Sequence, residues 1–172
     1  MQTFTSSATS INRSKLPAVY RKATLSRTTP FLVDYGCGKY TDHIQSYLSE
    51  FSKVLYPYDP FNQPDAVNIH TMEFVRWASR TRNEVDLVCS NVLNVIDSDG
   101  EVSRICHHIE EIATATGGTA YVTVYEGDRS GVGRQTGRDQ YQRNEPLREY
   151  LRFFHNATIR NGMIIVNGGT NK

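Results

Sequence analysis

Residues 31–51 limit the choice of fold more than any other part of the sequence. Phe31 to Asp34 form an apolar run that is typical of a buried strand, and two glycines follow it closely, at positions 36 and 38. Glycine has no side chain to obstruct a tight turn and accepts positive φ angles. Residues 41–51 then place apolar side chains at helical spacing. The order strand, glycine turn, helix indicates an α/β fold with a parallel sheet.

The rest of the chain continues this alternation. We predict further strands at 53–58, 66–69, 85–91 and 119–125, and helices at 15–25, 70–81, 98–115 and 144–154. Residues 157–166 are two short apolar segments around Asn161-Gly162, the strongest signal for a two-residue hairpin turn. The chain is therefore predicted to be an α/β, Rossmann-like domain with a mainly parallel, doubly wound sheet and a C-terminal antiparallel hairpin.

Length and composition favour one domain. A chain of 172 residues buries enough surface for a single core. We assign the domain to residues 13–167, with a disordered N-terminal segment at 1–12 and a disordered tail at 168–172. No apolar run approaches the roughly 18 residues that span a bilayer or resembles the core of a signal peptide, so we expect no membrane contact and a cytoplasmic location. Three cysteines without CxxC spacing argue against disulfides and a zinc knuckle.

The first 30 residues are locally cationic although the net charge is only +1. They contain no acidic residue, and their basic residues are Arg13, Lys15, Arg21, Lys22 and Arg27. Two interpretations remain open. The segment either binds phosphate, which would make a nucleic acid a partner, or is a solvated arm that keeps the chain soluble.

Acidic residues flank the glycine turn on two strands. Asp34 lies directly before the glycines, and Asp59 ends the second predicted strand, where a carboxylate can accept hydrogen bonds from both hydroxyls of a ribose. Position 41 is Thr, so the third glycine of a dinucleotide fingerprint is missing. The crevice is therefore predicted to hold an adenosine and not NAD, unless both acids only cap turns.

The segment Asp34-Tyr35-Gly36-Cys37-Gly38, together with an acid at the end of the next strand, resembles the class I S-adenosylmethionine-dependent methyltransferases. With Asp42, Tyr58-Asp59-Pro60 and residues 92–96, it is most similar to proteins assigned as methyltransferases in DNA phosphorothioation gene clusters. The resemblance covers about residues 12–126 and departs at Tyr40, where a glycine is frequent.

This resemblance implies S-adenosyl-L-methionine as the cofactor and methyl transfer as the activity, with DNA modification as the context and the acceptor undefined. It implies that Asp59 holds the ribose, that Pro60 and Phe61 flank the adenine, and that Asn91 orients the acceptor. The implied cofactor-binding residues are Asp34, Tyr35, Gly36, Cys37, Gly38, Asp42, Tyr58, Asp59, Pro60, Phe61, Ser90, Asn91 and Val92.

Residues 127–143 are a long, polar, glycine-rich segment that we interpret as a lid. Displacement at an activated sulfonium needs mainly alignment and exclusion of water, so a general base is optional. The candidate catalytic residues are Asn91, Asp139 and Tyr141, with Gln142 and Glu126 as further candidates in and beside the segment. A solvated polar loop is the alternative.

Two further functions fit the same cofactor. The chain could cleave S-adenosylmethionine itself, or bind it as an accessory or regulatory module of a nucleic-acid-modifying complex. No metal site is predicted, because the adjacent residues Cys106, His107 and His108 diverge by about 100° on a helix and cannot converge on one ion. Neither the acceptor nor the oligomeric state follows from the sequence.

Overall fold

The computed structural model describes residues 14–23, 25 and 29–169. Its strands are β1 (Phe31–Tyr35), β2 (Val54–Tyr58), β3 (Asp86–Ser90), β4 (Thr119–Thr123), β5 (Arg134–Gly137), β6 (Gln140–Gln142), β7 (Ala157–Arg160) and β8 (Met163–Asn167). Its α-helices are α1 (Ala18–Lys22), α2 (Asp42–Ser49), α3 (Asp65–Thr81) and α4 (Asp99–Thr116), and Leu93–Val95 and Leu147–Phe153 form 3₁₀ helices.

A six-stranded sheet in the order β2-β1-β3-β4-β8-β7 forms the centre of the protein. β1 pairs in parallel with β2 and β3, and β3 pairs in parallel with β4. β8 runs antiparallel to both β4 and β7. The predicted α/β class, the mainly parallel sheet and the C-terminal hairpin are therefore present. Asn161 and Gly162 both adopt positive φ, at 53° and 69°, as the two-residue turn requires.

Helices cover both faces of the sheet because its central strands are buried on both sides. α1 and α2 pack on one face, where Val19, Ile44 and Leu48 meet Leu32 and Val88. α3, α4 and the 3₁₀ helix Leu147–Phe153 pack on the other face, over a core that includes alternate residues of the same strands. Successive side chains of a strand point to opposite faces, so each central strand contributes to both cores.

Three predictions about local structure are corrected. Residues 66–69 are not a strand but the first turn and a half of α3. Part of 127–143 is not loop, because β5 and β6 form a separate two-stranded sheet. The segment predicted as a helix at 144–154 is a 3₁₀ helix over Leu147–Phe153.

The α3 error has a physical cause. Asn68 and Thr71 occupy inward positions where apolar residues are expected, and this hides the helical period. Both are buried because they bond the backbone at the end of β2: the Asn68 amide pairs with the N–H and C=O of Asp59, and the Thr71 hydroxyl donates to the Pro57 carbonyl.

The N-terminal segment 1–12, which is predicted to be disordered, lies outside the described residues, as do Arg13 and Arg27. Residues 170–172 of the predicted tail also lie outside them, whereas the backbone N–H of Gly168 donates to Gly118 at 2.8 Å. Within the described ranges, no helix is long and apolar enough to cross a membrane.

Candidate functional site

The strand order creates a switch point at the carboxyl edge of the sheet. From β1 the chain passes through α2 to β2 on one side, and from β2 it passes through α3 to β3 on the other side of β1. The connections after β1 and β3 therefore leave in opposite directions and open a crevice between them. In open α/β sheets, ligands bind in such crevices.

The glycine turn after β1 is held against the ends of both neighbouring strands. Gly36 and Gly38 have φ angles of 77° and 76°, which favour glycine. The N–H of Gly36 donates to the Tyr58 carbonyl at 2.7 Å. A Cβ on Gly36 would lie 2.3 Å from Cγ2 of Val92. Packing against Val92 is thus sufficient to require glycine at position 36.

The carboxylate of Asp59 is the centre of this region. Its Oδ2 accepts from the Gly38 N–H at 2.9 Å and from the Asn62 side-chain amide at 2.9 Å. Its Oδ1 accepts from the N–H groups of Phe61 and Asn62, both at 3.0 Å. A carboxylate offers about four acceptor positions. All are engaged by the protein, and the residue is only 5% exposed.

Two residues that the sequence analysis missed support this carboxylate. Asn68 fixes the Asp59 backbone, and Gln63 donates from its side chain to the Gly38 carbonyl at 2.6 Å. The available signal was an asparagine on the inner face of a helix, a position where a polar side chain needs a partner.

Asp34 lies on the α1 side of the sheet, not at the surface of the crevice. Its side chain is buried and accepts a hydrogen bond from the Tyr20 hydroxyl at 2.6 Å. Burial raises the pKa of the Asp34 carboxyl to about 7, against the opposing effect of the Tyr20 hydrogen bond and with a small contribution from the charge of Asp59. Direct contact between Asp34 and a ligand would require this pair to separate.

The aromatic residues next to the turn point to the opposite face. The Tyr35 hydroxyl lies 3.0 Å from Nδ1 of His108 on α4, and the rings of Tyr35 and Tyr58 are 4.9 Å apart. Burial raises the pKa of the Cys37 thiol, which donates weakly to the Gly38 carbonyl. Tyr35 and Tyr58 therefore support the turn from the side of the sheet that α4 covers.

Four predicted residues remain on the surface. Asp42 lies in the first turn of α2, and Pro60 and Phe61 follow β2, with Phe61 49% exposed. Asn91 is exposed directly after β3 and has a φ of 58°. Asparagine tolerates this left-handed conformation better than other non-glycine residues, and Asn91 is one of six non-glycine residues with positive φ in the described part of the chain. Ser90 lies beside it, with its hydroxyl accepting from Thr123 at 3.2 Å.

His43, on the first turn of α2, was not singled out by the sequence. Both of its ring nitrogens are buried, and neither has a hydrogen-bond partner within the described part of the chain. Burying an imidazole without partners is costly. Its position directly after the glycine turn adds an unsatisfied polar group to this end of the sheet.

Residues 126–144, which we call the arm, follow β4. Their base is fixed by buried polar residues. The Gln142 side chain accepts from the Asn94 amide at 3.2 Å and donates to the Tyr125 carbonyl at 2.9 Å. The Arg143 guanidinium donates to the carbonyls of Ile96 and Asp97 and pairs with Asp99. The arm is thus a hairpin on an anchored stem: residues 128–141 are mostly exposed, whereas Gln142, the last residue of β6, belongs to the buried stem with Arg143.

The candidate catalytic residues of the arm have different surroundings. Asp139 lies in the turn between β5 and β6. Tyr141 lines an open concavity beside the end of β4, together with Tyr125, Arg134 and Asn144. The side chains of Gln142 and Glu126 are already engaged within the protein. Gln142 bonds to Asn94 and Tyr125, and Glu126 accepts from the Leu147 N–H at 2.6 Å and pairs with Arg129.

No protein-family model, curated protein or solved structure matches this chain. The functional proposal therefore rests on the geometry of the crevice.

Proposed function

We propose that this chain binds S-adenosyl-L-methionine at the switch-point crevice and transfers its methyl group to an acceptor. The observation that carries the proposal is the convergence of three features at one edge of the sheet: the glycine turn after β1, the Asp59 carboxylate after β2, and the exposed Asn91 after β3 at positive φ. The resemblance to class I methyltransferases supports the same ligand.

The residues fit an adenosyl group on one condition, which concerns Asp59. Three of its four donors are backbone N–H groups that hold the turns, whereas the fourth is the Asn62 side chain. A side-chain amide can rotate away without moving the backbone. One ribose hydroxyl would therefore take the position of this amide on Oδ2, and binding includes the cost of displacing the amide.

The other residues divide the remaining tasks. The exposed Phe61 offers a face on which adenine stacks, with Pro60 beside it. The Asn91 amide is available to orient the acceptor. When bound, the cofactor supplies a methyl group that is already activated, so the chain has to align the acceptor and exclude water.

The concavity next to the crevice suits the acceptor. β3 and β4 are neighbours, so residues that follow them lie side by side at the carboxyl edge. Tyr125 and Tyr141 line the concavity, and Tyr125 is 63% exposed. Exposed aromatic rings bind flat organic groups, including nucleobases. This proposal includes a nucleic-acid acceptor, a role in DNA modification and a cytoplasmic location. It also includes contact with the nucleic acid through the exposed Lys15, Arg21 and Lys22.

The test is calorimetry of the purified protein with S-adenosylhomocysteine. We expect binding by the wild type, and about tenfold weaker binding by Phe61→Ala, since stacking on an aromatic side chain contributes about 1–3 kcal/mol. Asn62→Ala should bind about fivefold more tightly, because a competing hydrogen bond of about 1 kcal/mol is removed. Asp65→Asn, which removes an exposed carboxylate close in sequence, is the matched control and should bind as the wild type does.

Asp59→Asn should weaken binding as well, but it also removes acceptors from the turns, so its melting temperature has to be measured alongside. Absence of heat with both S-adenosylmethionine and S-adenosylhomocysteine, using folded wild-type protein, would overturn the proposal. Methylthioadenosine as the product would indicate cleavage of the cofactor, and tight binding without turnover would indicate an accessory module.

A further inference from the structure

Three potential metal ligands meet on the α3/α4 face of the sheet, away from the crevice. His107 and Glu110 lie one turn apart on α4, and His155 lies between the 3₁₀ helix Leu147–Phe153 and β7. One ligand atom from each residue lies within 4.8 Å of the other two. Residues three apart on a helix share a face, so α4 presents its two ligands in the same direction.

The carboxylate is fixed in place by the backbone. Oε1 of Glu110 accepts from the N–H groups of His155 at 2.8 Å and Asn156 at 2.9 Å. This leaves Oε2 to face the imidazoles, and it lies 3.1 Å from Nδ1 of His155. Metal-ligating carboxylates are held by hydrogen bonds of this kind, which orient the free oxygen.

The distances suit a tetrahedral ion. Two ligand atoms that are each about 2.05 Å from zinc lie roughly 3.3 Å apart at a tetrahedral angle. The hydrogen bond of 3.1 Å between Oε2 of Glu110 and Nδ1 of His155 has a length close to this value, so an ion that replaces the shared proton requires little movement of these two atoms. The rings of His107 and His155 are 4.5 Å apart and nearly perpendicular. His107 is exposed, so a side-chain rotation can bring its nitrogen to the ion.

We infer that His107, Glu110 and His155 form a binding site for a divalent transition metal of the zinc class, which links α4 to the segment before β7. Two imidazoles and one carboxylate suit Zn²⁺ and its neighbours better than Mg²⁺ or Ca²⁺, which take oxygen ligands. The carboxylate forms the buried base, and both histidines are exposed, so water completes the coordination.

The site is separate from the proposed methyl-transfer site. Ala157 at the start of β7 pairs with Val166, and Val166 pairs with Ala120 near the amino end of β4. The metal would therefore lie toward the opposite end of the sheet from the crevice, where it would hold the C-terminal hairpin against α4. The inference does not depend on the proposed function.

Calorimetric titration of the chelator-treated full chain with ZnCl₂ tests this inference. We expect one zinc ion per chain and a higher melting temperature with zinc than with chelator. His107→Ala should weaken zinc binding at least about tenfold, because even the loss of a residue that only hydrogen-bonds to a metal ligand lowers metal affinity by about tenfold or more. The matched control is His70→Ala, which removes an exposed histidine from α3 and should leave zinc binding unchanged.

His107→Ala is the decisive variant because His107 takes no part in the hydrogen bonds between Glu110 and residues 155–156, so its loss should not disturb folding. Substitution with Co²⁺ should give a tetrahedral spectrum without a thiolate charge-transfer band. No zinc binding by the wild type, equal binding by His107→Ala, equal binding of Mg²⁺, or a thiolate band would each overturn the inference.

Discussion

The crevice and the stem of the arm, Gln142 and Arg143, lie at the same edge of the sheet. In each region a buried charged side chain is hydrogen-bonded to backbone groups, but the charge is negative in the crevice and positive in the stem. In the crevice, the buried anion Asp59 accepts from backbone N–H groups of two turns. In the stem, the buried cation Arg143 donates to backbone carbonyls of the segment after β3. Each charge satisfies backbone groups that no helix or strand can pair.

The two regions differ in what they leave at the surface. Around Asp59, the exposed groups are single residues on tightly held turns, such as Phe61 and Asn91. Above Arg143, the exposed part is an entire hairpin whose first strand is solvent-accessible along its length. A charge that ties neighbouring turns together creates a fixed site, whereas one that anchors a stem supports a projecting element.

The largest expected effect is in the stem. Arg143→Ala should lower the free energy of unfolding by about 4 kcal/mol, because the buried Ile96 carbonyl and the part-buried Asp97 carbonyl lose bonds to a charged donor that are worth about 1.5–3 kcal/mol each. The guanidinium also lies 5.8 Å from the Phe153 ring. Urea unfolding measures the change. Arg138→Ala, in the exposed turn of the hairpin, should change stability by no more than about 0.5 kcal/mol; similar losses for both variants would contradict the anchoring role.

The next effect concerns the pH dependence beside the crevice. The pKa of Asp34 is raised from 3.8 to about 7, so between these values the folded state keeps a proton that the unfolded chain releases. The resulting stabilisation is complete at low pH and is lost as pH rises toward 7. Asp34→Asn removes this loss, so its stability relative to the wild type should increase by about 3 kcal/mol from pH 5 to pH 8.

Unfolding curves at several pH values check this expectation. Tyr20→Phe is the matched control, because it removes the hydrogen bond that lowers the Asp34 pKa and should move the wild-type pH dependence upward. If the wild type and Asp34→Asn lose stability in parallel from pH 5 to 8, the carboxyl does not titrate in that range.

The smallest effect separates strain from function at Asn91. Asn91→Gly should stabilise the fold by about 0.5 kcal/mol, since glycine adopts positive φ without strain. The same variant should reduce methyl transfer, because the amide is lost. Asn161→Gly relieves a similar φ of 53° in the C-terminal hairpin and should leave activity unchanged. Thermal melts and turnover assays measure both; full activity in Asn91→Gly would remove Asn91 from the site.

Local sequence signals predict several elements of the fold. The apolar run at β1, the glycines after it and the Asn161-Gly162 turn predict their structures correctly, because strand burial and positive φ depend on a few neighbouring residues. These signals were sufficient for the α/β class, the mainly parallel sheet and the position of the crevice.

The surroundings of each polar side chain, in contrast, depend on how distant segments pack together. The helix at 70–81 was predicted, but the start of α3 was missed because Asn68 points inward to the end of β2, where an apolar residue is expected. Comparing His107 with its sequence neighbours could not show that it lies close to His155, which is 48 positions away and is brought near by the packing of α4 against the C-terminal segment. The partners of a buried polar group can come from any part of the chain, so local sequence patterns do not specify them.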